Sequence, residues 1–113
     1  MPNKIYSFLG LAKKAGKLLS GDETCERAIK SEKVYLAIVS EDASDNTKKK
    51  FVDICGYRDV EIRIFGEKEL IGRYTGKEIR SVVVILEQGF AKRLIEMIDG
   101  NDTNTGVEFI GKS

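Results

Sequence analysis

Apolar positions along the chain alternate between a helical and a strand-like period. Residues 4–15 place Ile5, Phe8, Leu9 and Ala12 at helical spacing, and Gly16 supplies a stop. Lys17-Leu18-Leu19-Ser20 has the length and character of a short strand. A second helix is expected next, with Ser20 or Asp22 as its cap, and Cys25, Ala28 and Ile29 line one face of it. Val34 to Val39 is a continuous apolar run, as in a strand covered on both faces. Ser44 suits the N-cap of a third helix, with Lys48, Lys49 and Lys50 outward and Phe51, Ile54 and Cys55 inward. Val60 to Phe65 alternates as a half-exposed strand does. Glu67 to Tyr74 predicts a short helix and Ser81 to Leu86 a buried strand. Phe90 to Ile98 predicts a closing helix with Phe90, Leu94, Met97 and Ile98 inward.

This alternation predicts an α/β fold, a single sheet of about four strands between two helical layers. Residues 1–99 are expected to form one domain. Residues 100–113 read as a polar tail, in which Val107, Phe109 and Ile110 offer apolar docking points.

Composition narrows the chemistry. The chain has 113 residues, 42% hydrophobic and 33% charged, which describes a globular domain with a charged exterior. No apolar run approaches the ~20 residues that span a bilayer, and the first residues lead into an amphipathic segment. A cytoplasmic protein with no membrane partner is expected. There is no histidine, and Cys25 and Cys55 are the only cysteines. No metal site, cofactor or small-molecule substrate is therefore expected, and the commonest general base is missing. Both cysteines lie on inward helix faces and read as small core hydrophobes. The net charge is +1. Residues 1–50 nevertheless carry ten Lys or Arg against seven Asp or Glu, so a locally basic face is available.

Two apparent motifs fail. Gly72-Arg73-Tyr74-Thr75-Gly76-Lys77-Glu78 has one residue too few between its glycines for a phosphate loop, and Glu78 stands where Ser or Thr is needed. Glu41 and Asp42 are adjacent carboxylates, but a strand–helix junction explains them by favourable charge at a helix start. Three clusters remain. Lys13, Lys14 and Lys17 form a positive edge. Ser20, Gly21, Asp22, Glu23 and Thr24, with Arg27 one turn on, form a helix start with free N–H groups that suit a phosphate. Gly76, Lys77, Glu78, Ile79 and Arg80 form a loop with an exposed aliphatic residue between two cations. That mixture suits a bulged or kinked RNA.

At these residues the chain resembles a known family. GLAKKAGKLLSGDETCERAIKSEKVYLAIVSEDAS early and IGRYTGKEIRSVVVI late resemble the ribosomal L7Ae/L30e family of kink-turn RNA-binding proteins. GLAKKAGKLLSG, EDASDNTKKK and QGFAKRL resemble its bacterial YlxQ-like branch more closely. The likeness covers about residues 4–98. It implies a three-layer α/β/α sandwich with a mixed four-stranded sheet. It also implies an RNA site at the first strand–helix junction and the loop before the last strand. The family's glycine falls on Gly21, its base-facing positions on Asp22, Glu23 and Thr24, and its basic residue on Arg27; the late loop falls on Gly76 to Arg80. Kink-turn binders usually carry Asn-Glu or Lys-Gln where this chain has Glu23-Thr24. An ionised Glu23 accepts hydrogen bonds and cannot donate them, so it suits the N1–H and N2–H donors of guanine.

The expectation is a non-catalytic binder of structured RNA, kink-turn-like or related, with ribosomal RNA as a candidate partner and ribosome association as its setting. The alternative is a protein-interaction module on the same fold, regulating translation or stress responses. Its motive is the near-neutral charge and the acidic Asp22, Glu23 and Glu26.

Overall fold

Each predicted apolar period becomes one element in the computed structural model, which describes residues 3–31 and 33–100. The order is α1 (Asn3–Lys14), β1 (Leu18–Ser20), α2 (Asp22–Ser31), β2 (Leu36–Val39), α3 (Asp45–Arg58), β3 (Glu61–Ile64), α4 (Lys68–Tyr74), β4 (Val82–Ile85) and α5 (Gln88–Ile98). The four strands form one sheet in the order β1-β4-β2-β3. β4 runs antiparallel to both β1 and β2, and β2 runs parallel to β3, so the sheet is mixed.

Strand position explains strand composition. β2 and β4 are the central strands, and Leu36 to Val39 and Val82 to Ile85 are all fully buried. Side chains alternate across the sheet, so each strand feeds two cores. Leu18, Leu36, Ile38, Val83 and Ile85 pack with Leu9, Ala12, Ile71 and Leu94 beneath α1, α4 and α5. Ala37, Val39, Val82 and Val84 pack with Cys25, Ala28, Ile29, Phe51 and Cys55 beneath α2 and α3. β3 is an edge strand, which is why its sequence alternates. Arg63 on that edge makes two hydrogen bonds to the Asp99 carboxylate at the end of α5, at 2.8 and 2.9 Å. The guanidinium holds the Asp99 carboxyl below the usual carboxylate range.

Three expectations are refined. Ser44 caps α3 as its sequence suggests, its Oγ accepting from the Thr47 N–H at 3.1 Å. Ser20 and Asp22 do not cap α2: the Gly21 carbonyl accepts the first helical bond, from the Cys25 N–H at 2.9 Å, and both side chains are taken by distant partners. On α5, Ala91 and Leu94 are buried, while Phe90, Met97 and Ile98 pack around them only partly covered. Beyond Gly100 the expected tail, including Val107, Phe109 and Ile110, lies outside the described residues.

Gly72 decides how the loop before β4 sits. A Cβ there would meet the Glu78 carbonyl and the Ile79 nitrogen at 2.8 Å. These are backbone atoms that cannot swing away. Gly72→Ala should therefore cost about 1–3 kcal/mol of stability, the usual range for overpacking. Gly56→Ala, on an exposed turn of α3 with nothing within 4 Å, should raise stability by about 0.5–1 kcal/mol. Urea unfolding of the two variants checks this pair of opposite signs.

Candidate functional site

Pairing of β1 with β4 brings the two ends of the candidate site together. Ser20 lies opposite Val83, and the ladder continues through the Gly21 N–H, which donates to the Val82 carbonyl at 3.1 Å. Gly21 adopts φ +101°, a conformation most side chains resist, and α2 starts immediately after it. The first N–H groups of α2 come too early in the helix to have intrahelical acceptors.

Arg80 locks the late loop onto this junction. Its backbone N–H donates to the Lys68 carbonyl at 3.0 Å, and its Nε donates to Ser20 Oγ at 3.0 Å. One Nη1 hydrogen bond goes to the Ile79 carbonyl. Two of the five guanidinium N–H donors are thus used, and the others have no partner among the described residues. A Cβ at position 21 would meet Arg80 Nε only at an ordinary contact distance of 3.9 Å, so it is the positive φ, not crowding, that favours glycine there. Ile79 is 53% exposed beside it, and Lys77 and Glu78 are exposed as well.

The acidic character of the helix start is largely cancelled from α3. Lys50 is ion-paired to Asp22 and, at 3.2 Å, to Glu26. Its pKa is raised, first by the hydrogen bond to Asp22. Glu26 is also bound by Lys30 at 2.9 Å, and Lys30 and Lys50 together hold its carboxyl below the usual range. The sequence places Lys50 on the outward face of α3; its tertiary position makes it the counter-charge of the helix start. Lys49 pairs with Asp53. Glu23 is left as the exposed carboxylate without such a partner among the described residues. It lies on one stripe of α2 with Glu26, Arg27 and Lys30, around a shallow concavity of about 350 Å³. Lys30 belongs to this stripe by helical spacing alone, a signal the sequence already contained.

The lysine cluster is divided. Lys17 lies at the far end of β1 from Gly21, where its carbonyl accepts from the Leu86 N–H and its charge acts on Glu87. Lys13 and Lys14 line a separate concavity with Arg73 that borders Gly76.

Groups with chemical potential outside this surface have structural roles. Asp42 Oδ1 accepts from the Lys68 N–H at 3.0 Å, and Glu41 Oε2 from the Gly66 N–H at 3.3 Å. The two carboxylates therefore serve the start of α4, while Ser44 serves the helix that follows them in sequence. Burial is the largest single influence on Asp42 and acts to raise its pKa. The hydrogen bonds it accepts, led by that from the Lys68 N–H, together with the Lys68 charge outweigh burial, and the carboxyl stays below the usual range. Cys25 and Cys55 are fully buried. Burial, with the Asp22 charge, pushes the Cys25 thiol up to about 12, and burial pushes Cys55 up to about 11.

The architecture and the sequence both have known counterparts. The model of the ribosomal protein L7Ae/L30e/S12e/Gadd45 family matches residues 3–95. The RNA-binding protein YlxQ of Bacillus subtilis is 39% identical over 94 residues, spanning 83% of this chain and 94% of that protein. The RNA-binding protein YlxQ of Enterococcus faecium is 42% identical over 98 residues, spanning 86% and 93%. A solved structure of a Bacillus halodurans protein of unknown function superposes with a TM-score of 0.81 at 38% identity, over 85% of this chain and 97% of that one. The 15.5 kD RNA-binding protein of Giardia lamblia shares the fold, with a TM-score of 0.71 at 16% identity over 84% of each chain.

Thiol reactivity follows from the burial of both cysteines. A maleimide reagent at neutral pH should label neither Cys25 nor Cys55 in the folded protein on a timescale of minutes, and both at once in denaturant. Rapid labelling of the native protein would show that these positions are open and available as nucleophiles.

Proposed function

The chain belongs to the ribosomal protein L7Ae/L30e/S12e/Gadd45 family, and we propose that it is a non-catalytic, cytoplasmic binder of structured RNA. On this reading residues 1–99 act as one RNA-binding unit and the segment from 100 onward lies outside it. The observation that carries the proposal is the Gly21–Arg80 junction. A helix start with unpaired N–H groups, a guanidinium with spare donors and an exposed aliphatic side chain lie together on one surface. The relatives named as RNA-binding proteins match 83% and 86% of this chain.

The chemistry suits RNA in a kinked or bulged form. Phosphates at a sharp bend would lie against the first N–H groups of α2 and against Arg80. Ile79 would pack on a base face freed by the bend. Glu23 would accept from the N1–H and N2–H of a guanine, and Thr24 would reach an adjacent base edge. Arg27 and Lys77 would hold phosphates on either side. The neutralisation of Asp22 and Glu26 by Lys50 reduces the repulsion that an acidic helix start would exert on phosphate. It also weakens the motive for a protein-binding role of the same acidic residues. Ribosomal RNA fits this description, as does any transcript that carries a comparable bend. Neither cysteine is placed to serve as a nucleophile, because both are buried and held as thiols.

Binding to a kink-turn RNA should weaken steeply with salt, because phosphate contacts release counterions. Arg80→Ala, Arg27→Ala and Lys77→Ala should each weaken binding about tenfold, the order of one charge-assisted contact. Lys50→Met should weaken it too, by unmasking Asp22 and Glu26, although Lys50 itself need not touch the RNA. Titration by fluorescence anisotropy at several salt concentrations measures all four. Unchanged affinity in every variant, over a panel of bulged and kinked RNAs, would remove the proposed site.

A further inference from the structure

The concavity that holds Lys13 and Lys14 is built by two helix ends rather than one. Its volume is about 520 Å³, and it lies between the last turn of α1 and the last turn of α4. Gly10 allows the close approach: a Cβ there would come within 2.9 Å of the Tyr74 carbonyl. The approach brings Lys13 and Lys14 from α1 and Arg73 from α4 to one groove.

A lysine at a helix C-terminus offsets the helix dipole. That explains each cation singly. It does not explain why two helix ends point three cations into one groove. None of the three has an ion-pair partner among the described residues, whereas Lys30, Lys49, Lys50 and Arg63 are all paired. Two partly apolar side chains, Leu11 at 55% exposure and Tyr74 at 36%, stand beside them. An occupant of this groove must be polyanionic and must tolerate an aromatic and an aliphatic contact.

The groove is continuous with the Gly21–Arg80 junction. Thr75 and Gly76 line it, and the chain then runs through Lys77, Glu78 and Ile79 to Arg80. Four residues of extended chain reach at most roughly 14 Å, so one RNA molecule can touch both ends of the loop. We infer that the α1–α4 groove, through Lys13, Lys14 and Arg73, grips the phosphodiester backbone of a stem flanking the RNA element held at the Gly21–Arg80 junction. The inference rests on the RNA-binding reading above and extends it to a second contact with its own signature. The junction would respond to the bend, and the groove to the length of the flanking duplex.

The test uses the full chain and one bulged RNA made with a flanking stem either long or cut back to the bulge. The variants are Arg73→Ala alone, the triple Lys13→Ala/Lys14→Ala/Arg73→Ala, and Arg80→Ala. On the long-stem RNA the triple variant should bind at least tenfold more weakly than wild type. The slope of log K against log salt should become shallower by roughly 2.7, since each of the three lost phosphate contacts removes about 0.9. Arg73→Ala should show about a third of that change in slope, and Arg73→Lys should restore it. On the cut-back RNA the triple variant should match wild type, while Arg80→Ala should be weaker on both. If the triple variant keeps the wild-type affinity and slope on the long stem while Arg80→Ala loses affinity, the groove contact is wrong and the RNA-binding reading stands. An equal loss on both RNAs would also overturn the assignment to a flanking stem. Failure of wild type to bind either RNA, or any other of a structured panel, would overturn both. Thermal unfolding of each variant shows that the fold is kept.

Discussion

Antiparallel pairing of β1 with β4 determines where the rest of the molecule falls. β1 is only three residues long, yet its ladder extends at both ends. The Leu86 N–H reaches the Lys17 carbonyl, and the Gly21 N–H reaches the Val82 carbonyl. These bonds close a loop of roughly sixty residues, and closing it costs entropy that grows only slowly with length. The full burial of Val82 to Ile85 and of Leu18 offsets that cost. Once β1 is registered against β4, the start of α2 and the loop before β4 emerge at the same end of the sheet. Arg80 and Ser20 then meet although they are distant in sequence. A slip of one residue would turn every side chain of β1 to the opposite face and would separate them.

Charge placement is the second layer of this arrangement. A net charge of +1 conceals a surface on which opposite charges are sorted by tertiary contact. Lys50 reaches across from α3 to bind two carboxylates of α2, and Arg63 reaches from the sheet edge to Asp99. Cations on the Gly21–Arg80 side are left with spare donors, and those between α1 and α4 are left without counter-charge. Exposed ion pairs of this kind contribute little to stability. Their larger effect is on the local field that an approaching polyanion meets.

Much of this was legible in the chain. The change of apolar period located all nine elements of the described residues, because burial on one or two faces imposes those periods directly. The central strands read as continuous apolar runs and the edge strand as an alternation, and each reading matches its place in the sheet. Bounds moved by one or two residues: Val34, Ser81 and Leu86 flank strands without belonging to them. Partners far apart in sequence were not legible. Ser20 and Asp22 suited a cap locally, but Arg80 and Lys50 claim their side chains from across the fold. Lys13, Lys14 and Lys17 looked like one cluster because they are neighbours in sequence, and the turn between α1 and β1 divides them. Arg73 carried no signal of its own, since its meaning comes from a helix packed against the end of α1.

The central claim is that RNA is held where β1 gives way to α2 and where the late loop joins β4. Backbone amide shifts followed by NMR during titration with a kink-turn RNA test it most directly. The account predicts that the largest changes fall on Gly21 to Thr24 and on Gly76 to Arg80, with Glu61 to Ile64 and the start of α5 nearly unmoved. Changes concentrated on β3 and α5, with the Gly21–Arg80 junction silent, would contradict it.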